Sequence, residues 1–233
     1  VNEALNNAQK MASRPLELSH SGAVIISENI DKEYFDNICD FCYSNKELTL
    51  SVLFVAVKNA EALLKTEPAS TIAIGYEIMS LIQQRTALDG TEYKNRFYEI
   101  EALRKKPINV IYLPFLKVTD NTFTADGVRV YKNDKYTFDL TNEQFFALSV
   151  ATDNQSKGKA VLNNRVFEIK DCYSKIVPKS DTEAEIKIDL ETDNSKFENE
   201  IKNKILELFE FSKSKNADIF GIGNSYYNKN KKT

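Results

Sequence analysis

The apolar residues of this chain change period near Lys105-Lys106-Pro107, and that switch limits what it can fold into. Before it, most apolar residues recur at helical spacing; after it, they alternate. Asn2 to Ser13 reads as a helix ended by Pro15, with Ala4, Leu5, Ala8 and Met11 near helical spacing. Asp31 can cap a second helix carrying Tyr34, Phe35, Ile38, Phe41 and Cys42 on one face. Asn59 caps a short helix through Leu64, Pro68 breaks the pattern, and Ile72 to Ile82 and Tyr93 to Leu103 supply two more. Two strands interrupt these helices. Ala23 to Ile26 is a short β-branched run, and Leu48 to Val57 is apolar on both faces, which suits a central strand covered on both sides.

Beyond Pro107, Ile108 to Val118 reads as a strand in which Pro114 implies an edge or a bulge. Phe123 to Tyr131 and Lys135 to Asp139 form a candidate hairpin turning at Asn133-Asp134. A helix starting at Asp139 or Thr141 runs through Val150, and three β segments follow: Ala160 to Lys170, Tyr173 to Val177 and Glu183 to Leu190. The last alternates cleanly, as expected of a sheet with one wet face. Asp193 or Ser195 caps a long helix with the stripe Phe197, Ile201, Ile205, Leu208 and Phe209. The expected fold class is α+β. It comprises two mixed α/β units: a helix-rich N-terminal part (1–118) and a C-terminal part (119–233) with an antiparallel sheet and a long packing helix.

Composition excludes some functions. There are 34 acidic and 31 basic residues, so the net charge of −3 gives no electrostatic footprint for nucleic acid. The basic end, Lys229, Lys231 and Lys232, reads as a solvated terminus. No apolar run reaches the roughly 18 residues of a membrane span. The chain opens at Val1 directly in helix-like sequence, so it is expected to be a trimmed piece, and targeting segments cannot be read from it.

The candidate chemistry is thin. Cys39-Asp40-Phe41-Cys42 has redox spacing, but a reactive first thiol belongs at a helix N-terminus, and this pair falls late in its helix. A zinc site would need two further ligands, and no second pair exists. His20, the only histidine, is flanked by Ser19 and Ser21, which spacing alone does not orient into a triad; a structural place at a strand start fits better. Gly221-Ile222-Gly223 is too short for a phosphate loop, and it follows a helix rather than a strand. These glycines are expected to end the helix and allow close packing. No cofactor or metal ligand set emerges.

The segment Ala217-Asp218-Ile219-Phe220-Gly221-Ile222-Gly223-Asn224, after its long amphipathic helix, resembles the signature of the Ger(x)C spore germination lipoproteins. Ala125 to Lys135 is similar to that family's strand and turn at the start of the C-terminal domain, and Leu140 to Glu143 to the polar helix start after it. Leu18 to Glu28 resembles the family's G-H-x-K-V-[IV]-[IV]-I-[GS]-E strand, with His20 on the family's His. The motifs follow in the family's order over nearly the whole chain. The lipidated Cys and first strands that precede the opening helix in relatives are absent here, as are the helix and strand beyond Tyr226-Tyr227.

The resemblance implies a non-enzymatic lipoprotein subunit of a nutrient germinant receptor on the outer face of the spore inner membrane. Its partners would be the integral-membrane receptor subunits, and its membrane anchor an N-terminal lipid outside this sequence. His20, Asp218, Phe220, Gly221 and Gly223 are then motif residues with a structural or interaction role; no catalytic residue carries over. Two other readings compete. One is a module that itself holds a germinant, with Phe115, Tyr131 and Tyr136 available to line a site. The other is a hydrolase using His20.

Overall fold

The computed structural model describes residues 1–28, 30–67, 73–180 and 183–230. Pro68, Ile72, Lys231 and Lys232, which enter the sequence reading, lie outside the described residues. Among the described residues there are eight helices and eight strands, the strands form two sheets, and the fold class is α+β. The first half contributes α1 (Asn2–Met11), β1 (Ala23–Ser27), α2 (Lys32–Ser44), β2 (Leu53–Val57), α3 (Ala60–Leu64), α4 (Ile74–Asp89), α5 (Phe97–Arg104) and β3 (Val110–Thr119). Then come β4 (Thr122–Lys132), β5 (Lys135–Leu140), α6 (Asn142–Ala151), β6 (Gly158–Leu162), β7 (Arg165–Ser180), β8 (Glu183–Thr192), α7 (Ser195–Ser214) and α8 (Ile222–Asn230).

The larger sheet has the order β1-β2-β3-β4-β5, parallel from β1 to β3 and antiparallel from β3 to β5. Helical crossovers make the parallel part possible: α2 joins β1 to β2, and α3 to α5 join β2 to β3. The smaller sheet, β6-β7-β8, is antiparallel. Residues 118 and 119 sit at the tip of the β3–β4 hairpin, so the larger sheet takes strands from both sides of that boundary.

Two-residue turns set three of the antiparallel registers: Asp120-Asn121 for β3–β4, Asn133-Asp134 for β4–β5 and Asn163-Asn164 for β6–β7. All six residues have φ between 46° and 63°. Type I′ turns require positive φ at both positions, and Asn and Asp tolerate it best after glycine. Only the second of these turns was legible as such. The third splits the expected Ala160 to Lys170 segment into β6 and β7, and β7 continues through the expected gap before Tyr173.

Other boundaries shift for local reasons. Leu50 lies 54% exposed in a turn, and β2 begins only at Leu53. The helix expected from Tyr93 starts at Phe97, because Asn95 and Phe97 bond along the start of β2: Phe54 N–H donates to Asn95 O (2.8 Å) and Phe97 N–H to Val52 O (3.0 Å). Pro114 marks a bulge against β4, but β3 is an interior strand, not an edge. Thr141 caps α6 in a capping box with Gln144, and Asn194, rather than Asp193 or Ser195, caps α7.

The larger sheet is covered on both faces. On one, α2 and α5 bury Phe35, Cys39, Cys42, Phe97 and Ile100 against Phe54, Ile111, Leu113 and Tyr131. Arg104 fastens this layer at its rim, donating to Glu101 (2.6 Å), Asp134 (3.2 Å) and Asp36. On the other face, α4, α6 and α7 fill the space up to the smaller sheet. From Phe145 to Ala151 every residue of α6 is buried, as expected of a helix packed on several sides. This second core draws on both halves: Val55, Ile78 and Val110 share it with Phe146, Phe167, Phe197 and Leu208.

Phe54 is fully buried on β2 and stacks on Phe97 with centroids 5.7 Å apart. Phe54→Ala is expected to lower stability by about 3–5 kcal/mol, read from urea unfolding. A loss under about 1 kcal/mol would mean this core can collapse around the cavity.

Candidate functional site at the junction of the halves

The signature segment begins where α7 ends. Lys215 forms the C-cap and Asn216 takes positive φ (50°), so asparagine, not glycine, turns the chain out of the helix. The glycines serve the next element instead. Ala217, Ile219 and Phe220 turn inward and are buried, with Phe220 against Phe209 (5.8 Å between centroids). Asp218 then caps α8: its Oδ1 accepts from Ile222 N–H (3.0 Å) and its Oδ2 from Gly223 N–H (2.7 Å). A carboxylate there also complements the positive end of the helix. Gly221 has φ +73° with open space around its missing side chain. At Gly223 a Cβ would stand 2.1 Å from Ile108 Cδ1, so that glycine admits the Ile108 side chain.

The same segment reaches the first half of the chain. Asn224 Oδ1 accepts from Ile108 N–H (3.0 Å), and Asn224 Nδ2 donates to Ile108 O (2.9 Å). Tyr112 Oη donates to Ile219 O; within the second half, Lys132 Nζ donates to Asn216 O just ahead of the signature. Burial, with the Asp218 charge second, pushes the Tyr112 phenol far above its ordinary pKa, so it stays a neutral donor. Beyond the signature, α8 lies on the smaller sheet, where Lys229 Nζ donates to Pro178 O (3.3 Å). A second seam runs nearby. Glu92 N–H donates to Asn154 O (2.9 Å), Thr91 Oγ1 to Gln155 Oε1 (2.9 Å) and Gln155 Nε2 to Asp89 O (2.7 Å).

Between these two seams a cleft of about 480 Å³ opens. Tyr112, Phe145, Leu148 and Ile176 give it apolar walls, and Asp218 to Gly221 with Asn224 form one side. Its size falls within the range of small-molecule sites. Periodicity and motif spacing gave no sign of it, because its lining comes from separate segments spread between Glu92 and Asn228.

The other candidates from the sequence lie elsewhere. His20 is exposed in the turn before β1 and has no hydrogen-bond partner among the described residues. Cys39 and Cys42 face the α2–α5 core as free thiols, with Cys39 1% and Cys42 2% exposed. Burial pushes both pKa values up, that of Cys42 to about 11, so the thiolate needed for redox chemistry or metal binding is disfavoured. Phe115, Tyr131 and Tyr136 gather around Arg129, not around the cleft. The guanidinium lies 4.5 Å from the Phe115 centroid and 4.6 Å from that of Tyr136, and pairs with Asp139 (2.9 Å). Among the described residues, no group of three or more His, Cys, Asp or Glu is placed to hold a metal ion, and no helix is long and apolar enough to cross a membrane.

Known proteins place this architecture. A family model described as the spore germination protein N-terminal domain matches residues 1–118. Among solved structures, the crystal structure of the GerBC protein is similar, with a TM-score of 0.61 at 14% identity, over 91% of this chain and 70% of that one. At that identity the likeness concerns the fold, and the mixed α+β arrangement is the same. No curated protein matches. With the family model covering just over half of its residues, this chain belongs to the Ger(x)C family of spore germination proteins, the C subunits of germinant receptors.

Proposed function

We propose that this protein is a non-enzymatic subunit of a nutrient germinant receptor that acts by holding integral-membrane partner subunits. Its place would be the outer face of the spore inner membrane, through an N-terminal lipid anchor outside this sequence. Family membership supports the receptor setting. The observation that carries the holding role is the inward commitment of the signature: both Asp218 oxygens cap α8, and both polar groups of the Asn224 amide bond to Ile108. In this reading the motif residues Asp218, Phe220, Gly221 and Gly223 are architectural. The units 1–118 and 119–233 form one stiff body through them, and His20, exposed before β1, is free to meet a partner.

Two measurements test the reading. The full-length lipidated protein, solubilised in mild detergent, is expected to co-elute with the membrane subunits, and its deletion to abolish the nutrient response. Separate elution together with unchanged germination contradicts the proposal. The architectural role has its own test. Asn224→Ala leaves two half-buried backbone groups of Ile108 unpaired and is expected to cost about 1–3 kcal/mol. Gly221→Ala meets no steric obstacle and is expected to cost only the left-handed penalty of about 1–2 kcal/mol. Unfolding indistinguishable from the parent in both variants would remove the architectural role.

A further inference from the structure

The cleft between the seams is unevenly charged. Lys94, Lys106 and Lys175 line it, and none of the three has a carboxylate within ion-pair distance among the described residues. Of the two acidic residues in its lining, Asp218 already accepts two helix N–H groups, and Glu92 is exposed, as are Lys106 and Lys175, while Lys94 is half-buried. Partial burial of the amine, with the Lys94 charge second, holds Lys106 below the ordinary lysine pKa. Two ammonium groups near each other without a counter-ion make a place where an anion relieves repulsion and regains charge-assisted hydrogen bonds.

The interior of the same cleft holds unmet hydrogen-bonding capacity. Ser174 is 5% exposed and its Oγ has no partner; Asn154 Oδ1 is likewise buried and unpartnered. Both residues line the cleft. Buried polar atoms are nearly always bonded, and each exception asks for a water or a ligand. Ser174 Oγ can accept or donate, and Asn154 Oδ1 accepts, so together they suit a hydroxyl or an ammonium group. Tyr112, Leu148 and Ile176 supply apolar surface.

We infer that this cleft binds a small organic carboxylate whose carboxyl group lies at Lys94 and Lys106. Its short apolar body lies along the walls, and a hydroxyl or ammonium group bonds Ser174 and Asn154. A 2-hydroxy or 2-amino acid with an aliphatic side chain has this layout. Because one side of the cleft is the signature segment, such a ligand would touch the groups that join the two halves. The inference stands apart from the docking reading, since co-elution reports on that one and solution binding on this one.

The test uses this chain in solution, with amide resonances followed by NMR. The probes are lactate, 2-hydroxyisocaproate, L-alanine and L-leucine, with leucinamide as the control lacking a carboxylate. Saturable shifts confined to residues 92–94, 106–112, 154, 174–176 and 218–224 are expected from at least one acid and none from leucinamide. The double substitution Lys94→Gln with Lys106→Gln is expected to weaken that binding about tenfold, and Ser174→Ala to weaken it about threefold. Both leave the hydrophobic core intact, and unchanged spectra elsewhere would verify folding. No saturable shift from any of the four acids overturns the inference, as does binding that the lysine substitutions leave unchanged.

Discussion

The pairing of Asn224 with Ile108 is the contact on which the arrangement of the two halves depends. Ile108 lies just ahead of β3, where no neighbouring strand is available to its backbone. The side-chain amide of Asn224, 116 residues later, does what a strand neighbour would do: it accepts from the Ile108 N–H and donates to the Ile108 carbonyl. That fixes the entry to β3. Because β3 pairs with β2 on one side and β4 on the other, it fixes the sheet beyond it. Gly223 lets the Ile108 side chain approach, and Asp218 orients α8 so that Asn224 faces the right way.

Packing reinforces this hydrogen-bonded joint. The core around α6 is continuous from the parallel strands of the first half to the inner face of β6-β7-β8. Ile219 and Phe220 plug it from the signature side. A polar joint alone would contribute about 1–3 kcal/mol. The shared apolar core supplies much more, so the joint specifies geometry while burial supplies most of the stability.

Much of this was legible in the chain, for physical reasons that differ by element. Helix starts at Asp31 and Asn59 were readable because a side-chain oxygen caps each one, and of the two starts open for α6, Asp139 and Thr141, the cap is Thr141. The β4–β5 hairpin was readable because Asn133-Asp134 adopts the positive φ that its turn demands. The same chemistry at Asn163-Asn164 stood inside an apolar-alternating run, and the hairpin there was missed. Tyr93 looked helical by spacing, yet tertiary pairing of Asn95 and Phe97 with β2 delays α5. The signature could be recognised as a motif, but its work could not: nothing local links Asn224 to Ile108. The cleft was illegible for the same reason, since Lys94, Ser174 and Asp218 become neighbours only through the fold.

If the joint and the shared core hold the two halves together, they unfold as one cooperative body. Native-state hydrogen exchange measures it directly. The slowest amides of β2 and β3 and those of β7 and α7 are expected to exchange with a common opening free energy, and both sets to fall together in denaturant. A C-terminal set that opens at a clearly lower free energy, while β2 and β3 stay protected, would contradict it.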